Sequence, residues 1–498
     1  MKRVVIATVT VLGFLMLEAQ TFHDLSQERI SIEVSRVPAS TVLEMIGRQL
    51  GLKISYNSNF LEDRLLSLKT DTATVPETLA YIFQKEEIHF QVIGNQLAIY
   101  DPSPVVNVEQ CYRSVRGIVI DDATHDALRH ISIVESLSNQ HVVTNSDGKF
   151  LLRLPCETDS LNLTIRALGY KTHRINIPVA KDIGELRLVG DYVSLQEVVV
   201  LSLPAKKLLH GVLENISENY LTDPTNATSF FREAVLKNRN LAKLSEAVFQ
   251  VYNSPYDISP PEDQVRLLKG RKFVDRDNVD TVSFKIKGSL KSCFDLDIVK
   301  HQPDFFHPEL FEKQYDYVIR DVVGYENHNI YVIDFERNFH GRGLPYQGTM
   351  YVDGQTLALR SVEFELRKTD LPPKINPLVI KKGAGSRTTF KWAKYRVNYT
   401  EVSGKLIMNY VSLRTKFRVR RKKNLFAADY ETLTEYMVNS FVTENVSKIR
   451  DSDNFSKHIV FMDQPVLFDP GYWGGLSYLP IDQPLIESSK RLEQIILQ

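Results

Sequence analysis

Between Ile30 and Tyr100 the apolar positions recur at every second residue, then at helical spacing, then at every second residue again, and this succession occurs twice. Ile30, Ile32 and Val34 alternate with polar residues, which predicts a strand with one buried face. Val42, Leu43, Ile46 and Leu50 follow at helical spacing behind Val37-Pro38, and Gly51 stands where a left-handed cap ends a helix. Leu52, Ile54 and Tyr56 predict the returning strand. In the second copy, Leu66 and Leu68 precede Thr74 and Glu77, which have capping-box spacing, with Pro76 in the first turn where its missing N–H costs nothing. Leu79, Ile82 and Phe83 mark the buried side of that helix, and Ile88, Phe90 and Val92 return as a strand. A tight turn at Gly94-Asn95 leads into a last strand with Leu97 and Ile99. Residues 28–101 thus read as a small duplicated βαβ domain.

The period then changes. Over 112–190 short alternating runs predict a β-sandwich: Val115 to Asp121, Ile131 and Ile133, Val142 to Thr144, Phe150 to Leu152, and Leu161, Leu163 and Ile165. Asp147-Gly148 supplies a turn between two of them, and Gly169-Tyr170 closes the stretch. Residues 191–203 read as a linker around Leu195 to Val200, an extended string that offers an edge for strand addition or is an ordinary sheet strand. From 204 to 498 the chain reads as one or two mostly-β domains. Leu208, Leu209, Val212, Leu213, Ile216 and Tyr220 predict one amphipathic helix, and Phe230-Phe-Arg-Glu233 follows it. Strand-like runs come at Tyr331 to Phe335, Thr349 to Val352, Leu357 to Leu366, Lys391 to Tyr399, Lys405 to Val411 and Thr415 to Val419. The fold class expected is α+β multidomain: a duplicated βαβ domain, a sandwich, and a large curved antiparallel sheet with helices.

These patterns carry resemblances. The tandem unit with Val37-Pro38 and Val75-Pro76 resembles the short N-terminal domain of secretins and TonB-dependent receptors, which implies a Gram-negative envelope and a docking role. Gly117, Asp121, Asp147, Gly148, Phe150, Gly169 and Tyr170 resemble the pattern of the transthyretin-like carboxypeptidase regulatory-like domain, an accessory module without peptidase chemistry. Gly348 to Gly354 with the following strand resembles the sheets of lipoprotein-carrier-like domains. The helix, Phe230 to Glu233 and the tail Phe468 to Trp473 are similar to Bacteroidetes-type envelope proteins with the same β-domain upstream.

Composition narrows the setting more than the chemistry. The 498 residues allow about three domains, and the formal net charge is zero, so no global field draws in nucleic acid. Lys2 and Arg3 before the apolar Val4 to Leu17 read as a signal peptide over 1–20, too short for a comfortable membrane span. Together with the Gram-negative envelope that the resemblance implies, the expected location is the periplasm, with association with the outer membrane as a variant. Of three cysteines, Cys111 and Cys156 flank strands of one domain and are a candidate disulfide, with separate buried thiols as the alternative.

Candidate catalytic groups are scarce. None of the twelve histidines is followed by Glu at the third place, the spacing a zinc carboxypeptidase needs. His301 and His307 flank Phe305-Phe306 without converging two ligands on one helical face. Neither a Gly-x-Ser-x-Gly elbow nor a phosphate-cradling glycine loop is present, and Gly383-Ala-Gly385 reads as a loop. No catalytic, metal or cofactor residue is assigned. One constellation stands apart: Arg414, Lys416, Arg418 and Arg420 alternate with Thr415, Phe417 and Val419, which puts four cations on one strand face about 7 Å apart. Such a stripe suits lipid A phosphates, other anionic lipid or an acidic partner. A solvated face protected from edge pairing is the plainer reading of the same residues.

The expectation is a non-catalytic envelope protein that docks a protein partner through its N-terminal modules. Its C-terminal sheet is expected to hold an apolar or lipid-like ligand, such as outer-membrane lipid or a lipoprotein. A signalling relative of TonB-dependent receptors without the barrel is the first alternative, because fewer than 300 residues cannot supply about 22 strands and a plug. A hydrolase with an unrecognised site is the second.

Overall fold

A computed structural model of the chain describes residues 25, 28–56, 65–84, 89–93, 96–100, 111–191, 204–274, 285–286, 290–338, 343–367, 371, 379–381, 386–421, 427–450, 454 and 475–488. The apolar start, Ile88, Gly94-Asn95, Leu195 to Val200, Gly383 to Gly385 and Phe468 to Trp473 lie outside them. Residues up to Glu109 and residues from Gln110 onward form two compact units.

In the first unit β1 (Ile32–Pro38), α1 (Ala39–Leu50) and β2 (Lys53–Tyr56) are followed by β3 (Leu65–Thr70), α2 (Val75–Phe83), β4 (His89–Ile93) and β5 (Gln96–Tyr100). β1 pairs antiparallel with β3, while β5 lies between β2, parallel to it, and β4, antiparallel. Val42, Leu43 and Ile46 of α1 and Leu79, Ile82 and Phe83 of α2 pack into one core with Ile32, Leu66, Leu97 and Ile99. The capping box closes as its spacing requires: Glu77 Oε2 accepts from the Thr74 amide at 2.8 Å, and Thr74 Oγ1 accepts from the Glu77 amide at 3.4 Å.

The second unit opens with a sandwich of β6 (Tyr112–Asp121), β7 (Ser132–Glu135), β8 (Gln140–Val143), β9 (Lys149–Pro155), β10 (Ser160–Arg166), β11 (His173–Pro178) and β12 (Asp182–Leu188). One sheet has the order β11-β10-β7-β8 and the other β12-β6-β9. Gly148, at φ +73°, makes the turn into β9, and a Cβ there would meet the Val119 carbonyl oxygen at 2.7 Å. Cys111 and Cys156 are joined in a disulfide across 45 positions, with Cα atoms 5.2 Å apart. Closing such a loop is worth about 4 kcal/mol in the chain-entropy model.

The remainder comprises α3 (Ala205–Glu214), α4 (Ile216–Asn219), β13 (Thr225–Lys237), β14 (Asn240–Asn253), β15 (Gln264–Val274), β16 (Lys285–Ile286), α5 (Leu290–Asp295), α6 (Ile298–His301), α7 (Pro308–Gln314), β17 (Tyr315–Tyr325), β18 (His328–Arg337), β19 (Gln347–Asp353), β20 (Leu359–Arg367), β21 (Val379–Lys381), β22 (Ser386–Val402), β23 (Lys405–Arg421), β24 (Ala428–Val442) and α8 (Gln483–Glu487). Ten of these strands form one antiparallel sheet in the order β15-β14-β13-β24-β23-β22-β20-β19-β18-β17. The chain is therefore mostly β-strand with few helices. Two details differ from the periodicity. The single helix expected over Leu208 to Tyr220 breaks at Asn215, whose side-chain amide donates to the Gly211 carbonyl at 2.8 Å. The runs Lys405 to Val411 and Thr415 to Val419 are one strand of 17 residues, joined to β22 by a two-residue turn, Ser403-Gly404, with φ positive at both.

The large sheet is covered on both faces. Its inner face packs Leu208, Leu209 and Val212 of α3, Leu290 and Phe294 of α5, and Phe305, Phe306 and Phe311 around α6 and α7. Its outer face carries Phe230, Val248, Tyr410 and Met437, which share one core with the sandwich residues Val142, Phe150, Leu152 and Leu163. Leu485 of α8 sits beside the sandwich footprint on Ala234, Leu241, Leu244 and Leu433. The sandwich and the sheet, read from sequence as separate segments at 112–190 and 204–498, are one body because this apolar surface is common to both.

Candidate functional site

Along β23, Arg414, Arg418 and Arg420 are exposed and Lys416 is partly so, while Thr415, Phe417 and Val419 are buried on the inner face. The four cations are not equivalent. Lys416 lies 2.7 Å from Glu431 and 3.9 Å from Asp429 on β24 and is neutralised there. Arg414 reaches Asp482 at 3.7 Å. Register adds residues that the sequence did not bring to the stripe: Lys394 faces Arg414, Trp392 faces Lys416, and Arg387 faces Arg420 across β22. Lys394 Nζ stands 5.9 Å from the Trp392 ring centroid.

Beside this face a buried ion cluster clamps the tail. Arg232, in the Phe230 to Glu233 run, is 1% exposed; its Nε donates to Glu246 Oε1 at 2.8 Å and its Nη1 to Glu435 Oε2 at 3.2 Å. The same guanidinium donates to the carbonyls of Leu479 at 2.5 Å and Pro480 at 3.3 Å. Arg271 holds the other oxygen of Glu246. Burial alone would raise the Glu246 carboxyl, but Arg271 and Arg232 more than reverse it and hold it below its ordinary value. Burial keeps Glu435 above its ordinary value, with Arg232 pulling the other way. The strap from Leu479 to Gln483 then reaches the sandwich: Asp482 accepts from the Ser146 amide and hydroxyl, each at 2.9 Å, and Asp147 accepts from the Gln483 amide at 2.6 Å.

A second sealed cluster lies on the inner face. Asp297 accepts from the hydroxyls of Tyr256 at 2.8 Å and Tyr399 at 2.9 Å, and those oxygens accept in turn from the Met408 and Val299 amides. Lys300 pairs with Asp263 at 2.8 Å. Burial pushes the Asp297 carboxyl up, and Asp263 adds to that push. Five titratable groups joined by these contacts resemble an acid/base site in composition, yet all have buried side chains, and the bonds pin α6 to β22 and β23. Among the described residues no three His, Cys, Asp or Glu are grouped to hold a metal ion.

At the junction of sandwich and sheet stand two histidines kept neutral. His141 packs edge-on to Phe441 with centroids 5.4 Å apart, and burial, then Arg166, lowers its pKa to about 4. His130 stacks on Tyr410 at 5.0 Å, and burial, then Arg396, Arg129 and Arg414, hold it well below the ordinary histidine range. A base with a depressed pKa binds its proton more readily when unfolded. Stability is therefore complete above about pH 6.5 and is lost as pH falls toward 4. For His141 alone the loss reaches about 3 kcal/mol at the acid end. Asp297 and Glu435, both raised, act in the opposite sense. Unfolding midpoints measured from pH 7 to 5 should fall, and His141→Phe should flatten that slope; an unchanged slope would assign the loss elsewhere.

Elsewhere on the described inner face aromatic side chains pack on one another. Phe305 stacks on Phe335 at 4.7 Å and leans on Phe364 at 4.9 Å, while Phe364 stacks on Tyr395 at 4.5 Å. A surface recess of about 510 Å³ lies beside the Ser403-Gly404 turn, lined by Asp223, Ser403, Lys405 and Thr443. Lys405 in it is already held by the carbonyls of Ser217 and Glu218. The sandwich signature residues are likewise engaged in folding: Gly117 lies under the Phe150 ring, and Asp121 accepts from the Tyr170 hydroxyl at 2.8 Å.

The family model of the CarboxypepD_reg-like domain matches residues 115–200, so the sandwich is a carboxypeptidase regulatory-like domain. No curated protein matches the chain. Among solved structures, a DUF1329 family protein from Desulfovibrio piger aligns at 10% identity and a TM-score of 0.24, over 49% of this chain and 95% of that one. Lipovitellin, from a structure of its lipid–protein interactions, aligns at 7% identity and 0.22, over 46% and 26%. A 9R-lipoxygenase from Cyanothece aligns at 10% identity and 0.12, over 36% and 44%. At these scores none of the three bears on fold or function.

Proposed function

We propose that the protein is a non-catalytic envelope component, periplasmic or held against the outer membrane, that docks protein partners through residues 28–101 and the sandwich. The observation that carries this reading is the use of the polar groups. The signature residues of the regulatory-like domain serve its folding, and Arg232, Glu246, Glu435, Asp263 and Asp297 are sealed in pairs away from solvent. The tandem strand–helix–strand order at the front supports kinship with the short N-terminal domain of secretins and TonB-dependent receptors. An apolar ligand on the described inner face would have to displace Phe305 and Phe306, both fully buried, so we place recognition on the outer surfaces. Photo-crosslinking side chains at Met45, Leu65 and Leu137, which are 37%, 55% and 67% exposed, test the reading in cells. Discrete adducts in the envelope fraction are expected. A cytoplasmic protein without adducts, or hydrolytic turnover by the purified chain, would replace this reading with another.

A further inference from the structure

The outer face of β22 and β23 carries a row of cations in which like charges face one another across the ladder. Arg387 lies directly opposite Arg420, and Lys394 directly opposite Arg414. Like charges facing each other across an antiparallel pair are destabilising. Arg387, Lys394, Arg418 and Arg420 are exposed. Among the described residues no carboxylate lies within ion-pair distance of any of these four, although Asp429 faces Arg418 and Glu365 faces Lys394 across the ladders, whereas Lys416 between them is neutralised by Glu431 and Asp429. Protection of a sheet edge does not account for Lys394, Arg414 and Arg418: β22 pairs with β20 from Trp392 to Asn398 and β23 with β24 from Tyr410 to Val419, so these three are interior, whereas Arg387 and Arg420 stand beyond those pairings. In the middle of the cations Trp392 stands half-buried, facing Lys416 across the ladder. From Arg414 to Arg420 the row spans about 20 Å.

We propose that this face is a peripheral membrane contact for a bilayer with anionic phosphate headgroups. The guanidiniums of Arg387, Arg418 and Arg420 and the ammonium of Lys394 meet phosphates, and the Trp392 ring lies at headgroup level. Arginine presents a planar fork of donors that matches phosphate, and tryptophan is enriched at the membrane–water boundary because one part of its ring is apolar and one edge donates. With a chain of formal net charge zero, attraction comes from local patches such as this one, which suits a flat anionic surface met at close range. Lys416, although in the stripe, is not a contact, because its charge is spent within the sheet. The membrane contact holds whether or not the N-terminal modules dock a protein.

Co-sedimentation of the purified chain with phosphatidylcholine vesicles, with and without phosphatidylglycerol, tests the proposal. Binding should appear with the anionic lipid and fall steeply with added salt. Each cation near an anionic membrane contributes about fivefold in partition, so Arg418→Glu with Arg420→Glu should lower binding by more than tenfold. Arg387→Gln with Arg418→Gln should lower it less, and because all these side chains are exposed, melting temperatures should match the parent protein. Heparin and single-stranded DNA serve as soluble polyanions at the same salt. Capture of either where anionic vesicles are not bound would assign the patch to a polyanionic or acidic partner and overturn the membrane contact. Equal binding to neutral vesicles, absence of binding, or indifference to charge reversal would overturn it too.

Discussion

Replacing Arg232 with alanine is expected to lower the unfolding free energy by about 3–5 kcal/mol, the range seen when one partner of a buried ion cluster is deleted. The guanidinium is the only cation within pairing distance of Glu435 among the described residues, and it shares Glu246 with Arg271. Its loss leaves the buried Glu435 uncompensated and strips donors from the Leu479 and Pro480 carbonyls. The urea midpoint should drop, and amide protection over 479–488 should drop further than in the sandwich, because the strap loses its main anchor. Arg232→Lys, which keeps the charge but cannot span two carboxylates and two carbonyls, should fall between the two. A change under about 1 kcal/mol for the alanine variant would mean that water or a rearranged Arg271 takes over the site.

The second large effect is expected at Phe305. Truncation of a fully buried phenylalanine to alanine costs about 3–5 kcal/mol, because lost transfer energy and an unfilled cavity add. Phe305 is completely buried, and its ring contacts Phe335, Phe364, Tyr346 and Tyr315. Rigid neighbours on a hydrogen-bonded sheet cannot collapse into the space, so Phe305→Ala should sit at the upper end. The apolar void should take up benzene or xenon, which would restore part of the lost melting temperature. If the variant is destabilised by under about 2 kcal/mol and gains nothing from either probe, the loop has closed over the gap.

How much of this could be read from the chain depended on which faces of each element are wet. β10, with Leu161, Leu163 and Ile165 buried and polar neighbours half-exposed, alternates cleanly and was legible. The capping box at Thr74 and Glu77 was legible because its chemistry is local. β13, β14 and β24 were not foreseen, since the helices cover one face and the sandwich and α8 the other. Runs such as Ser229 to Ala234 are then buried at every position and lose their period. Nothing in the sequence marks Arg232 as buried, for the same reason. For the basic face, the sequence put Arg414, Lys416, Arg418 and Arg420 on one side of a strand. It could not align Trp392, Lys394 and Arg387 beside them, which takes the register between two strands, nor show that Lys416 is spoken for.

The order of strands in the large sheet bears on when the molecule can assemble. Phe230 of β13 sits beside Met437 of β24, so the strand that begins the sheet finds one of its two neighbours only after some 200 more residues have been made. Contacts this distant in sequence slow folding, because the entropy of closing the intervening loop is lost before any pairing repays it. Until residue 442 is available, β13 has β14 on one side and an open row of amides and carbonyls on the other. A nascent chain therefore stays incomplete, and vulnerable to pairing with the wrong strand, through nearly all of its synthesis.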